Sequence, residues 1–175
     1  MKWYLEIERV KSVNIGTNEQ VQKVLSDNGS TELITGVTLA DALKGADIFV
    51  GVSAPGIVSE DMVKSMNKDA ILFAMANPVP EIMPDVAKKA GAKVVGTGRS
   101  DFPNQVNNVV AFPGIFKGAL EGHAKQITEE MKLAAALAIA GLVDEKDLNE
   151  DNIMPEAFDP RVADVVSQAV KANIK

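Results

Sequence analysis

Three near-continuous apolar runs constrain this chain more than any other feature: Ala46–Val52, Ala70–Met75 and Lys93–Gly96. Each is short enough for one strand, and none alternates polar with apolar residues as a half-exposed strand would. Runs of this kind belong to strands covered on both faces, as in a parallel sheet. The segments between them read as helices. Ser59 stands before Glu60–Met66 as a cap, and Asp85–Lys89 is closed by Gly91. Strands alternating with helices imply right-handed βαβ units. A fourth strand is expected at Val109–Phe112, and a short strand, of edge character, at Trp3–Val10.

Upstream of the first run, Thr38 caps a short helix to Leu43. Asp41 stands at the capping-box position and Gly45 at the stop. Lys11–Thr31 is polar with a weak helical pattern at Val21, Val24 and Leu25. After Pro113 the alternation ends. Gly114–Gly122 and Ile127–Val143 read as helices, the second with a stripe at Met131, Leu133, Ala134, Leu137 and Leu142. A last helix opens at Asp159-Pro160, with Asp as N-cap and Pro at the first position. Its apolar face is Val162, Val165, Val166 and Val170. Asp144–Ile153 is an acidic loop. The expected fold is α/β: an incomplete Rossmann-type parallel sheet with a C-terminal helical layer, forming one partial domain over residues 1–175.

The chain has 175 residues and is 46% hydrophobic, enough for one core. Its formal net charge of -6 lacks the basic surface that nucleic-acid binding requires. With no cysteine there is no disulfide framework, thiolate nucleophile or Cys-based zinc site, and the single histidine, His123, excludes a His-rich one. His123 reads as a surface residue in a helix. No apolar signal segment stands at the start, and the longest apolar stretch, Leu133–Val143, is too short to span a bilayer. The composition reads as that of a soluble, cytoplasmic protein without nucleic-acid or membrane partners.

In an open parallel sheet, ligands bind outside the carboxyl ends of the strands. Three segments fall there. Gly51-Val52-Ser53-Ala54-Pro55-Gly56 is a turn of small residues, read either as a plain tight turn or as a close approach to a ligand. Asn77 leads Pro78-Val79-Pro80-Glu81, either as a common turn starter or as a polar group held at a strand end. The stretch from Gly96 to Gly114 carries Arg99, Asp101, Asn104, Gln105, Asn107 and Asn108. The three converge if the sheet forms. Neutral amides suit a small carboxylate, a ribose or a nicotinamide amide, because they donate and accept without a charge to desolvate.

The segments "ADIFVGVSAPG", "ILFAMANPVPEI", "AKVVGTGRSDFPNQVNNVVAFPGIFKGAL", "ITEEMKLAAALAIAGLV" and "FDPRVADVV" together resemble the C-terminal, NAD(P)-binding part of bacterial-type malic enzymes. The resemblance covers about residues 38–171, and residues 1–37 match it poorly. Such enzymes oxidise L-malate with NAD or NADP and decarboxylate the product to pyruvate and CO2, using divalent Mg or Mn. The resemblance implies that Asn77 touches nicotinamide ribose and malate, and that Asn108 binds the malate carboxylate with Asn107 beside it. It also implies that Ser53, Ala54 and Pro55 line the cofactor's adenosine or pyrophosphate side. Trp3–Val10 falls where the family's second dinucleotide strand stands, which puts Glu8 near the acidic residue on the adenosine ribose. The family's Gly-rich pyrophosphate turn, metal ligands, catalytic Lys and Tyr, and substrate-binding Arg have no counterpart here, so no catalytic or metal residue is assigned. The expected role is a truncated or split malic enzyme, inactive alone and completed by an N-terminal half or a homodimer partner. The rival readings are a non-catalytic NAD-binding or interaction module and a degenerate fragment. If the sheet lacks its central strand, Trp3–Val10 is expected to pair with Ala46–Val52.

Overall fold

The computed structural model describes residues 38–175. The proposed strand at Trp3–Val10, its pairing with Ala46–Val52, Glu8, and the weak helical pattern of Lys11–Thr31 lie outside the described residues. Within them the order is α1 (Leu39–Leu43), β1 (Ile48–Gly51), α2 (Glu60–Lys64), β2 (Ile71–Ala74), α3 (Pro84–Lys89), β3 (Val94–Thr97), a 3-10 turn (Asn108–Val110), α4 (Phe112–Glu121), α5 (Glu129–Ala140) and α6 (Pro160–Lys171).

The expected caps form. The Thr38 hydroxyl accepts from the Asp41 N–H at 3.2 Å while the Asp41 carboxylate accepts from the Thr38 N–H at 3.0 Å, a reciprocal capping box. Ser59 caps α2 through the Met62 N–H, and Asp159 caps α6 through the Arg161 N–H with Pro160 at the first position. Gly45 and Gly91 follow the first and third helices with φ of 70° and 111°, conformations that glycine adopts without strain.

The three strands make one parallel sheet in the order β1-β2-β3. Register places Phe49, Leu72 and Val95 in one row. That row packs with Leu43, Val63, Met66, Ala87 and Ala90 in a first core, so α1, α2 and α3 all serve the same face. The opposite row is Val50, Phe73 and Gly96. Here the expectation of strands covered on both faces needs correction among the described residues. β1 alternates: Phe49 is buried, while Val50 is 60% exposed and Val52, just past the strand, 77%.

A second core belongs to the helical layer. Val110, Ile115, Ala119, Met131, Ala135, Ile139, Val162, Val166 and Val170 form it, with α4 and α5 both packed on α6. The valine face expected for α6 is the one buried, with Val165 at its margin. The stripe expected for α5 is buried only in part: Met131 is in the core and Leu142 packs at its margin, but Ala135 and Ile139 join Met131 inward at i, i+4 and i+8, while Leu133 and Leu137 are 62% and 66% exposed. A helix of nearly uniform apolar sequence carries no pattern to choose its face, and the contact with α6 chooses it.

The fourth strand expected at Val109–Phe112 is not formed. Asn107, extended, accepts from the Val109 N–H through its side chain at 3.1 Å and opens the 3-10 turn. Pro113 then starts α4, where its missing N–H costs no hydrogen bond. The apolar run is the entry of a helix into the second core, with Val110 buried at its base. His123 is exposed, as expected, but lies just beyond α4 with φ of 55°.

Candidate functional site

The carboxyl ends of the strands and the start of the helical layer enclose a cleft of about 610 Å³. Val52 contributes from the end of β1, Met75, Ala76 and Asn77 from β2, and Gly98 and Arg99 from β3. Asn107, Asn108, Val110 and Ala111 form the far wall, with Ile139 of α5 and Met154 behind. The cleft therefore sits where a parallel α/β sheet presents its ligand site. Arg99 is the only charged side chain among the described residues that line it.

The amides of the Gly96–Gly114 segment divide into two groups. Asn104 is buried with φ of 55°, and its side chain is committed to the protein. Its Nδ2 donates to the Val95 carbonyl at 3.1 Å and the Glu150 carbonyl at 2.8 Å, and its Oδ1 accepts from the Ile153 N–H at 2.9 Å. Asn104 thereby fastens the acidic loop to the end of the sheet. Lys88 adds an ion pair to Asp151 at 2.8 Å. Gln105 donates to the Gly98 carbonyl, and Asn107 caps the 3-10 turn. Asn77 and Asn108 form the second group: both are exposed at the cleft, and neither side-chain amide has a hydrogen-bond partner among the described residues.

Arg99 donates through Nε and Nη2 to both oxygens of Asp101 at 2.8 and 2.7 Å, a planar two-point pair. Hydrogen bonding from Arg99 holds the Asp101 carboxyl below its ordinary value. The remaining Nη1 points to the Pro78 carbonyl at 3.4 Å, beside Asn77, whose peptide bond to Pro78 is cis.

Ser53, Ala54 and Pro55 are exposed but lie beyond Val52, outside the lining of this cleft. Their loop is anchored from beneath by Glu81, a residue to which sequence reasoning gave no role although it closes the Asn-Pro-Val-Pro-Glu turn. Glu81 is 0% exposed. Its Oε1 accepts from the Ser53 N–H at 2.8 Å and the Ser53 hydroxyl at 3.1 Å, and its Oε2 accepts from the Ala76 N–H at 3.0 Å. Burial pushes its carboxyl up, but the N–H groups of Ser53, Ala76 and Glu81 itself, with the Ser53 hydroxyl, outweigh burial and hold it below its ordinary value. The available sequence signal was a lone carboxylate between Pro80 and Ile82 in an otherwise apolar turn.

Among the described residues no group of three or more His, Asp or Glu side chains is arranged to hold a metal ion, and no helix is long and apolar enough to cross a membrane.

Comparison with known proteins agrees with this architecture. Residues 10–174 match the sequence model of the family described as malic enzyme, NAD binding domain. The chain is 61% identical over 133 residues to the bifunctional malic/malolactic enzyme of Bacillus subtilis, covering 76% of this chain and 32% of the relative. It is 56% identical over 133 residues to the NAD-dependent malic enzyme of Geobacillus stearothermophilus, covering 76% of this chain and 28% of that one. Among solved structures, the NAD-dependent malic enzyme of Thermotoga maritima superposes with a TM-score of 0.78 at 39% identity, over 95% of this chain and 52% of that chain. The chain thus spans about a third of the length of these curated relatives. A sheet open at its carboxyl edge, an amide-lined cleft over that edge and a sequence match running through both place the chain in the malic enzyme NAD-binding domain family.

Proposed function

We propose that the chain is one NAD(P)-binding unit of a cytoplasmic malic enzyme, holding the nicotinamide end of NAD or NADP, and malate beside it, in the cleft at the carboxyl ends of β1–β3. The observation that carries this reading is the pair of uncommitted amides. Asn77 and Asn108 face one cleft with side-chain amides that have no hydrogen-bond partner among the described residues, whereas Asn104, Gln105 and Asn107 bond to the protein. Polar side chains left unpaired at a strand-end cleft are suited to a ligand that satisfies both donor and acceptor. In this assignment Asn77 binds the nicotinamide ribose and malate, Asn108 binds the malate carboxylate, and Asn107, its side chain held to the 3-10 turn, stands beside it on the cofactor side. Ser53, Ala54 and Pro55 run along the adenosine or pyrophosphate side. NAD(P), when bound, supplies the hydride acceptor; the residues named here bind and orient. The Mg or Mn of the complete enzyme, with its acid–base groups, is assigned to an N-terminal half or a homodimer partner.

The test is direct. NADH titrated into the pure 175-residue chain is expected to bind, seen as enhanced and blue-shifted nicotinamide fluorescence. Malate with Mn²⁺ and either cofactor is expected to give no NAD(P)H until a malic enzyme N-terminal half is added. In the mixture, Asn108→Ala removes a hydrogen bond to a carboxylate, about 1.5–3 kcal/mol, or roughly tenfold to a hundredfold in kcat/KM. Absence of NADH binding overturns the reading. Binding without complementation favours a non-catalytic NAD-binding module, and an unchanged kcat/KM removes Asn108 from the site.

A further inference from the structure

We infer that Glu81 is a positioning residue for the cofactor, a buried anionic clamp that sets the Ser53–Pro55 loop against the Asn77 turn without touching the ligand. The inference rests on the NAD(P)-binding reading above and adds a residue to it.

The geometry is specific to a carboxylate. Both oxygens accept from backbone N–H groups on two different loops: Ser53 after β1 and Ala76 after β2. The same two segments are laced by main-chain bonds from the Gly56 N–H to the Pro80 carbonyl and from the Val58 N–H to the Glu81 carbonyl, each at 3.0 Å. Gly51 makes the slot. A Cβ there would lie 2.6 Å from the Glu81 carboxyl carbon, so the strand end is shaped around this side chain. No cation pairs with Glu81 among the described residues; N–H and O–H dipoles alone compensate its charge.

An amide cannot replace it. In Gln one of the two acceptors becomes an NH2 group, and whichever loop N–H it faces meets a donor instead of an acceptor. A buried N–H left unsatisfied drives its loop away. Asn77 follows Ala76 directly, so release of the Ala76 N–H moves an amide assigned to the nicotinamide. Release of the Ser53 N–H moves the loop assigned to the other end of the cofactor. A single side chain thus fixes the spacing between the two halves of an extended ligand's site, and binding to a preformed site avoids the cost of ordering those loops.

Two measurements on the 175-residue chain test this: NADH titration by fluorescence, and amide hydrogen exchange without NADH. For Glu81→Gln the expected results are NADH binding weaker by roughly tenfold to a hundredfold and faster exchange at the Ser53 and Ala76 amides. Exchange in the strand amides of Leu72 and Val95 is expected to be unchanged, a contrast that general destabilisation would erase. A folded Glu81→Gln protein with wild-type NADH affinity overturns the inference while leaving the binding reading intact. If the wild-type chain does not bind NADH, the binding reading fails, and unchanged exchange at Ser53 and Ala76 in the variant then overturns the clamp separately. If Glu81→Gln fails to fold, Ser53→Ala decides. Loss of the hydroxyl arm is expected to speed exchange at Ala76, which is linked to Ser53 through the Glu81 carboxylate, and Ser53→Thr to restore it. Unchanged Ala76 exchange in Ser53→Ala overturns the inference.

Discussion

Gly118→Ala is the sharpest probe of how the helical layer is built. Helix α4 meets α6 through Gly114 and Gly118, one turn apart, and a Cβ at Gly118 would stand 2.6 Å from the Ser167 carbonyl oxygen and 2.8 Å from Val170 Cβ. A carbon–oxygen contact needs roughly 3.3 Å. The deficit of about 0.7 Å is set by main chain, which no rotamer change relieves. α6 must shift, and it carries Val162, Val166 and Val170 into the second core. Two effects oppose each other. Ala in place of Gly favours a helix interior by about 1 kcal/mol. Overpacking a filled contact costs about 1–3 kcal/mol, and a backbone obstacle puts this site at the upper end. Overpacking wins, for a net loss of about 1–2 kcal/mol, or roughly 2–8 °C in the thermal midpoint of a chain this size. Thermal denaturation followed by far-UV circular dichroism measures it. Gly141→Ala is the control: that residue is right-handed, with φ of -73°, and a Cβ there would come no nearer than 3.4 Å to another atom. The control is expected to be neutral, or more stable by up to about 1 kcal/mol. A Gly118→Ala midpoint at or above wild type would refute the close-approach argument.

Leu72→Ala empties a site that is 0% exposed at the centre of the sheet and is expected to cost about 2–5 kcal/mol, read as a lower urea midpoint at unchanged slope. Asn104→Ala removes the three bonds that tie the acidic loop to β3 and leaves a residue without an amide at positive φ; faster amide exchange at Ile153 is expected, and wild-type protection there would count against the tether. Glu81 is held below its ordinary value in the folded state, so the unfolded chain binds the proton more readily. Its stabilisation is complete above the unfolded range, about 4.3, and is lost as pH falls through the folded value. Urea unfolding between pH 7 and 3 should therefore show a shallower acid limb in Glu81→Gln than in wild type, and identical limbs would refute this.

What the sequence determined by itself was local. Thr38 with Asp41, Ser59, and Asp159 with Pro160 start their helices because each cap is satisfied within about one turn of its own residue. The three apolar runs became strands, and the change of pattern after Pro113 marked the helical layer, because periodicity and turn chemistry are carried by neighbours in the chain. The cleft residues Asn77, Asn107 and Asn108 were legible for a related reason: strand ends in a parallel sheet converge whatever the details.

Only the tertiary structure decided the rest. Val109–Phe112 is as apolar as a strand, but Asn107 and Pro113 turn it into a helix entry that buries Val110 in the second core. α5 offers apolar residues on every side, and the surface of α6 selects Met131, Ala135 and Ile139 over Leu133 and Leu137. The amides of Asn104 and Asn108 look alike in sequence, yet one is consumed by the loop that returns 46 residues later and the other has no partner among the described residues. Glu81 acquires its role from Ser53, 28 residues away. For Asn104, Glu81 and the face of α5 the deciding partner is distant in the chain, and whether a polar group is spent or available depends on which donors and acceptors folding brings within hydrogen-bond reach.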